Sequence, residues 1–427
     1  MPSPGAIAIL RRWTDKLRIA LAALPLALLL PHPVRASSDG YSTLTQIRPD
    51  NLPRLRQVWR LDVPGDALQT TPLVIDGIAY LMTPDQSVLA VEGDSGRVLW
   101  TFAEGAGGSQ PVRGLASWSD GRQRILYASQ GTDLVALDAT SGRPVTGFGT
   151  AGRVDLRRGL GRDPRSVATF LTSPAVVWRD LVIVGFRTSE SLPAAPGAIR
   201  AYDARTGRLR WMFRALPRTQ GGGNAWAGLA VDDARGILYV NANDIAWTGG
   251  LVASPPPSAP GTGAAFYQQH CATCHGVERQ DQPPAFPALD DIGSRWLDWQ
   301  IQRVIVQGKG RSLWQVPLDE YPELIAQGHS PTGTENYGGP LVTASGLVFI
   351  GASVYDRQLR AFDAASGLEL WRTTLPYAGA ATPVTYSVSG RQHLLIATSG
   401  SRDPKGPQGA AYVAYALDPP TQTAPAP

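Results

Sequence analysis

The sequence predicts an all-β fold, a β-propeller with about six recognisable blades, interrupted by one small helical insert. Three observations predict it. A turn-centred repeat occurs four times along the chain. Each copy follows another pair of short apolar strands. Glycine (46) and proline (36) are both abundant, as many strands joined by tight turns require.

Residues 1–36 have the form of a secretory signal peptide. Arg11, Arg12, Lys16 and Arg18 make a basic start, "IALAALPLALLL" (19–30) is an apolar core, and "VRA" ends in a small-residue cleavage site at Ala36. The apolar run is short for a membrane span. The whole chain carries 39 basic and 35 acidic residues; five of the basic and one of the acidic fall in this segment, so the remainder is balanced. No basic stripe interleaved with aromatics marks a nucleic-acid surface.

The repeat is A-x-[DE]-x-x-[ST]-G-x-x-x-W. Its copies are "AVEGDSGRVLW" (90–100), "ALDATSGRPVT" (136–146), "AYDARTGRLRW" (201–211) and "AFDAASGLELW" (361–371), with Thr146 in place of Trp in the second. The acid and the Ser/Thr suit a side-chain-bonded turn, and the glycine supplies positive φ. The Trp is expected to dock one blade on the next rather than to do chemistry. Strand pairs such as "TPLVIDGIAYLMT" (71–83) and "GPLVTASGLVFIGA" (339–352) precede the copies. Four strands in about 45 residues is a propeller blade, which buries both faces only by stacking on its neighbours. Blade starts are expected near 57, 112, 174, 224, 339 and 381.

This divides the chain into a first propeller part (37–252), a linker and insert (253–312), a last propeller part (313–417) and a disordered tail (418–427). "ASPPPSAPGTG" (253–263) reads as linker, and "AAFYQQH" and "RWLDWQIQRVIVQGKG" have the helical spacing of apolar residues.

Both cysteines of the chain lie in "CATCH" (271–275) within the insert. C-x-x-C-H is the attachment signature of a c-type haem: Cys271 and Cys274 form thioethers and His275 is the proximal iron ligand. A redox dithiol or half a zinc site are the other chemistries open to such a pair. The sequence has no second Cys pair and no thioredoxin-like βαβ frame to support them. The methionines are Met1, Met82 and Met212, none of them in the insert, so a sixth iron ligand would come from a group such as His270 or His329, or the iron is five-coordinate.

With these segments in view the chain resembles the quinoprotein dehydrogenases that use pyrroloquinoline quinone (PQQ), in particular members with a cytochrome c module. "YSTLTQIRPDNLPRL", "LQTTPLVIDG", "VRGLASW", "FLTSPAVVWRDLVIVG", "GGGNAWAGLAVDDARGILYVNAND", "PLDEYPEL" and "TGTENYGGPLVTASGLVFIGA" carry the resemblance. It implies an eight-bladed quinoprotein-type fold with PQQ on its axis, and oxidation of an alcohol or sugar hydroxyl. It also implies haem c as electron exit, calcium beside the quinone, and a respiratory cytochrome or quinone as acceptor. By position it assigns Trp226 to the floor under the quinone, and Arg113 to its carboxylates. Thr172, Gln69 and Asn336 become further cofactor contacts. Asn243, Asp244 and Glu190 become calcium ligands, with Asp244 also the candidate catalytic carboxylate. The family's H-H-D-x-W-D strand is absent, and "GKGR" runs directly into "SLWQVPL". A non-catalytic propeller scaffold and a quinoprotein relative with impaired activity are the alternative readings. Export implies the periplasm.

Overall fold

The computed structural model describes residues 40–104, 111–167, 169–188, 197–214, 229–232, 237–240, 314–329, 331–334, 336–352, 354–400, 403 and 405–418. The segments expected as signal peptide, linker and insert (1–36 and 253–312) lie outside them. Among the described residues no helix is long and apolar enough to cross a membrane.

The architecture is a ring of β-sheets. Blade I is β3 (Leu73–Ile75), β4 (Ile78–Met82), β5 (Val88–Glu92) and β6 (Val98–Phe102). Blade II is β7 (Ala116–Ser119), β8 (Arg124–Gln130), β9 (Asp133–Asp138) and β10 (Arg153–Asp155). Blade III is β12 (Val176–Trp178), β13 (Leu181–Val184), β15 (Ala198–Asp203) and β16 (Leu209–Arg214), with the small pair β11 (Thr169–Phe170) and β14 (Arg187–Thr188) at its side. Of blade IV the hairpin β17 (Leu229–Asp232) and β18 (Ile237–Val240) is described. Blade V is β19 (Leu341–Thr343), β20 (Leu347–Gly351), β21 (Gln358–Asp363) and β22 (Glu369–Thr374), with β1 (Tyr41–Ser42) added parallel to β19. The closing blade, VI, is β23 (Val384–Val388), β24 (Arg391–Ser399), β25 (Ala410–Leu417) and, at its outer edge, β2 (Leu55–Val63).

That last pairing corrects one expectation. The segment near 57 does not begin a blade. It joins the C-terminal strand antiparallel, from Leu55↔Leu417 to Val63↔Ala410, and closes the ring; the first blade begins at β3. The other expected starts agree with β7, β12, β17, β19 and β23 to within a few residues. Asp418, assigned to the tail by sequence, still donates its backbone N–H to Arg54 O (3.0 Å).

The core lies between blades. Successive residues of a strand point to opposite faces, and both faces here are buried. In β4, Ala79 and Leu81 pack toward blade VI while Tyr80 and Met82 pack toward blade II. In β8, Leu126 and Ala128 face blade I while Ile125 and Tyr127 face blade III. In β24, Leu395 and Ala397 face blade I while Leu394 and Ile396 face blade V. This is why the middle strands read as continuous apolar runs rather than alternating ones.

The repeat forms the turn its residues demand. The Asp138 carboxylate accepts from Thr140 N, Ser141 N and Ser141 Oγ, and Asp203 and Asp363 repeat the pattern. These bonds hold the Asp363 carboxyl below its usual range, the Ser366 hydroxyl contributing most. The glycines take φ of 76° (Gly96), 70° (Gly142), 67° (Gly207) and 73° (Gly367). Three of these turns then receive an indole from earlier in the chain. The indole N–H of Trp59 donates to Gly93 O (2.9 Å), that of Trp100 to Ala139 O (3.1 Å) and that of Trp314 to Ala364 O (3.0 Å). The same rings lie flat on Gly96, Gly142 and Gly367, where a Cβ would come within 2.9, 2.5 and 2.5 Å of a ring atom.

The copy without Trp shows how the site is otherwise filled. After Gly142 the chain detours through residues 144–152 before forming β10. Phe148 is buried in that detour against Tyr127 (ring centroids 5.6 Å). The Gly207 turn of blade III then meets Gly149 N and Val154 Cγ2 instead of an indole, and Ala204 O accepts from the Tyr127 hydroxyl (2.5 Å).

Candidate functional site

Three lead-in segments, each just before the first strand of a blade, meet on one side of the ring. They are Gln69–Pro72 before β3, Val112–Gly114 before β7 and Thr172–Pro174 before β12. Thr71 N donates to Arg113 O (3.0 Å), and Arg113 N donates to Thr172 O (3.0 Å). Thr70 Oγ1 adds a bond to Val112 O (2.8 Å). The three segments precede β3, β7 and β12, the edge strands opposite β6, β10 and β16 in their sheets, as β23 is opposite the outer β2, so this chain of bonds marks the axial side of blades I to III. Gly114 takes φ 155°, a backbone conformation that residues with a Cβ rarely adopt, while a Cβ there would make only ordinary contacts with Thr71 O (3.4 Å) and Pro174 (3.6 Å).

The structure therefore brings together three residues that the sequence singled out separately. Gln69 is half-buried, Thr172 is 3% exposed, and Arg113 is half-buried between them. Burial, and after it the positive charge of Arg187, pull the Arg113 guanidinium below its ordinary value. Arg187 comes from β14, whose partner strand β11 leads directly into Thr172; Phe170 is paired with Arg187 and Thr169 with Thr188. Thr169 is fully buried, and its hydroxyl has no hydrogen-bond partner among the described residues. Sequence reasoning missed Arg187, because nothing in "FRTSE" announces a strand that doubles back on the Thr172 lead-in.

Asn336 lies elsewhere, before β19. It is exposed, and its side chain closes a turn on Gly338 (Nδ2 to Gly338 O, 3.2 Å). The glycines that follow pack against blade VI, with Gly339 N donating to Thr382 Oγ1 (3.0 Å). Trp226, Glu190, Asn243, Asp244, Cys271, Cys274 and His275 lie outside the described residues. Among the described residues no group of three or more His, Cys, Asp or Glu side chains gathers as a metal site. His329 is exposed, just after the short helix α1 (Pro322–Ile325).

One buried carboxylate in "PLDEYPEL" has a structural explanation. Asp319, 6% exposed and at φ 63°, accepts from Glu320 N, Thr334 Oγ1, Tyr355 N and Asp356 N at 2.6–3.1 Å. It ties residues 314–334 to blade V, and four donors leave it little capacity to act as a base.

Chemically, the axial cluster offers a desolvated cation beside hydroxyl and amide groups. A carboxylate placed there would meet charge-assisted bonds in a low-dielectric surrounding. The group present thus fits the acidic edge of a polycarboxylate ring.

Comparison with known proteins gives a consistent picture. The family model for the PQQ-type glucose/ethanol/alcohol dehydrogenase β-propeller domain matches residues 34–243 and 215–394. The quinate/shikimate dehydrogenase (quinone) of Acinetobacter baylyi is 26% identical over 255 residues, 48% of this chain and 31% of that protein. The quinohemoprotein alcohol dehydrogenase ADH IIB of Pseudomonas putida is 27% identical over 245 residues, 49% of this chain and 33% of that protein. The matched part thus spans about a third of these relatives' length. Among solved structures, the quinohemoprotein alcohol dehydrogenase ADHIIG of Pseudomonas putida HK5 superposes with a TM-score of 0.58 at 18% identity, covering 91% of this chain and 80% of that one. A europium-containing methanol dehydrogenase gives 0.59 at 15%, covering 88% and 96%. These two likenesses concern the fold.

Proposed function

This chain belongs to the PQQ-dependent dehydrogenase β-propeller family, and from that premise we propose that it oxidises an alcohol or sugar hydroxyl in the periplasm and passes the electrons to a c-type haem. The observation that supports this reading is the bonded cluster Thr71–Arg113–Thr172 at the axial side, with a half-buried guanidinium at its centre. When bound, PQQ supplies the two-electron acceptor for hydride equivalents leaving the substrate carbon.

The chain's own residues do the rest. Arg113 opposes the quinone's carboxylates, which a guanidinium fork suits. Thr172 and Gln69 offer hydrogen bonds beside it, whereas Asn336, exposed and engaged in a turn on Gly338, is not placed at this cluster. Trp226 is the apolar floor. Asn243, Asp244 and Glu190 supply the hard oxygen ligands that calcium requires, Asp244 being the candidate base. Cys271, Cys274 and His275 hold haem c, and a respiratory cytochrome or quinone takes the electrons onward.

The test is expression in a host competent for haem attachment, with PQQ and calcium added, and a panel of alcohols and aldoses assayed by dye reduction. The expected result is a Soret band with substrate-dependent reduction. Trp226→Ala is expected to lose quinone affinity; unchanged PQQ binding in that variant would refute the assigned floor. Material with neither a Soret band nor quinone uptake would overturn the reading.

A further inference from the structure

The outer strand of blade III, β16, turns two large aromatic side chains toward a place that no described blade fills. We infer that this flank, formed by Trp211 and Phe213, is a docking surface. Its occupant is the chain's own cysteine-bearing insert, seated through the apolar stripe of "RWLDWQIQRVIVQ" (295–307). The inference goes beyond the functional reading and stands or falls apart from it.

Blade I has the same pair of side chains in the same places, but covered. Trp100 stands opposite Ala90 and Phe102 opposite Val88 across β5 and β6. Trp211 stands opposite Ala201 and Phe213 opposite Ile199 across β15 and β16. In blade I the indole bonds to Ala139 O of blade II, and Phe102 is 6% exposed within the cluster shared with that blade. In blade III, Trp211 is 37% exposed and Phe213 60%. Among the described residues the hairpin that follows lies at the other end of the blade, with β17 beside the axial strand β12. The outer end is therefore the bare one.

The course of the chain identifies the occupant. The hairpin ends at Val240, and the described chain resumes at Trp314, whose indole bonds to Ala364 O in blade V. Residues 241–313 thus depart beside blade III and return on blade V. They contain no copy of the A-x-[DE]-x-x-[ST]-G turn on which Trp59, Trp100 and Trp314 rest, so they bring Trp211 no turn of that kind. What they bring is an apolar stripe with helical spacing: Leu297, Ile301, Val304 and Ile305 fall at i, i+4, i+7 and i+8. A unit of about 60 residues buries too little surface to be more than marginal alone. Resting that stripe on exposed Trp and Phe side chains removes apolar surface from water on both partners.

The experiment uses the full chain, made in a host competent for haem attachment, with photoreactive p-benzoylphenylalanine in place of Phe213. Illumination is expected to give a cross-link within one chain, mapped by mass spectrometry to residues 295–307. A cross-link to a second chain, to another part of the same chain, or to nothing would overturn the inference. Proteolysis reads the same contact without a probe. In Phe213→Asp, tryptic cleavage after Arg295, Arg303 or Lys309 should quicken about tenfold, the factor that corresponds to about 1.4 kcal/mol of lost docking. Phe213→Leu should keep most of the protection. Circular dichroism of both variants should match the parent, since the side chain is already 60% exposed. Equal cleavage in the parent and in Phe213→Asp would overturn the inference as well. If the cross-link forms in protein that takes up no quinone, the functional reading falls and the docking surface stands.

Discussion

At the scale of single residues, Gly142 shows how one position can hold two blades in register. Its φ of 70° favours glycine, and a Cβ would collide with the Trp100 ring at 2.5 Å. Gly142→Ala is expected to cost about 2–4 kcal/mol, the sum of left-handed strain and a forced shift of the indole, read as a fall in the urea midpoint. His393 makes a pH prediction. It is 1% exposed and stacked on Tyr386 (5.1 Å, 7°), with Nδ1 bonded to Arg391 O and Nε2 without a partner among the described residues. Burial pushes its pKa down, so the fold holds the neutral ring. Stability from this residue is therefore full above the unfolded value near pH 6.5 and lost as pH falls below it, because the unfolded chain then takes up a proton that the folded one resists. His393→Gln should flatten the dependence of melting temperature on pH between about 6.5 and 5. The glycine was legible in the sequence from its place in the repeat. The histidine was not, since its burial is decided by a neighbouring strand.

At the scale of elements, the turn was legible because every part of it is local. The acid, the hydroxyl and the glycine contact one another within six residues, and their spacing specifies the loop. The docking Trp was legible as a role, yet two of the three that fill it, Trp59 and Trp314, stand outside any copy of the repeat. Blade II was legible only in part. The missing Trp at 146 was visible, but the replacement by Val154 after a detour was not, because it depends on Phe148 finding the core. Thr146→Trp should accordingly bring no stabilisation, its docking place being already filled, whereas Trp100→Ala should lose about 3 kcal/mol; denaturant titration of the two separates them.

At the scale of the molecule, the sequence showed a ring but not how it shuts. β2 was misread as the opening of a blade because its partner is the last strand of the chain, and no local pattern reports so distant a pairing. The candidate site shares this property. Gln69, Arg113 and Thr172 each looked like one residue in a matched stretch, and only ring geometry makes them neighbours. Removing residues up to Val63 should strip β25 of its outer partner and uncover the inter-blade cluster that includes Trp59. A cooperative melt is expected to be lost in that truncation, with association on gel filtration, since an unpaired apolar edge invites pairing between molecules.

A chain made from one end to the other produces β2 well before β25. The lock on the ring therefore cannot engage until β25 has emerged, and the earlier blades must spend that interval unsealed. Cys271 and Cys274 emerge well inside this interval. An enzyme acting on those thiols as the chain emerges would meet them before β2 and β25 have paired.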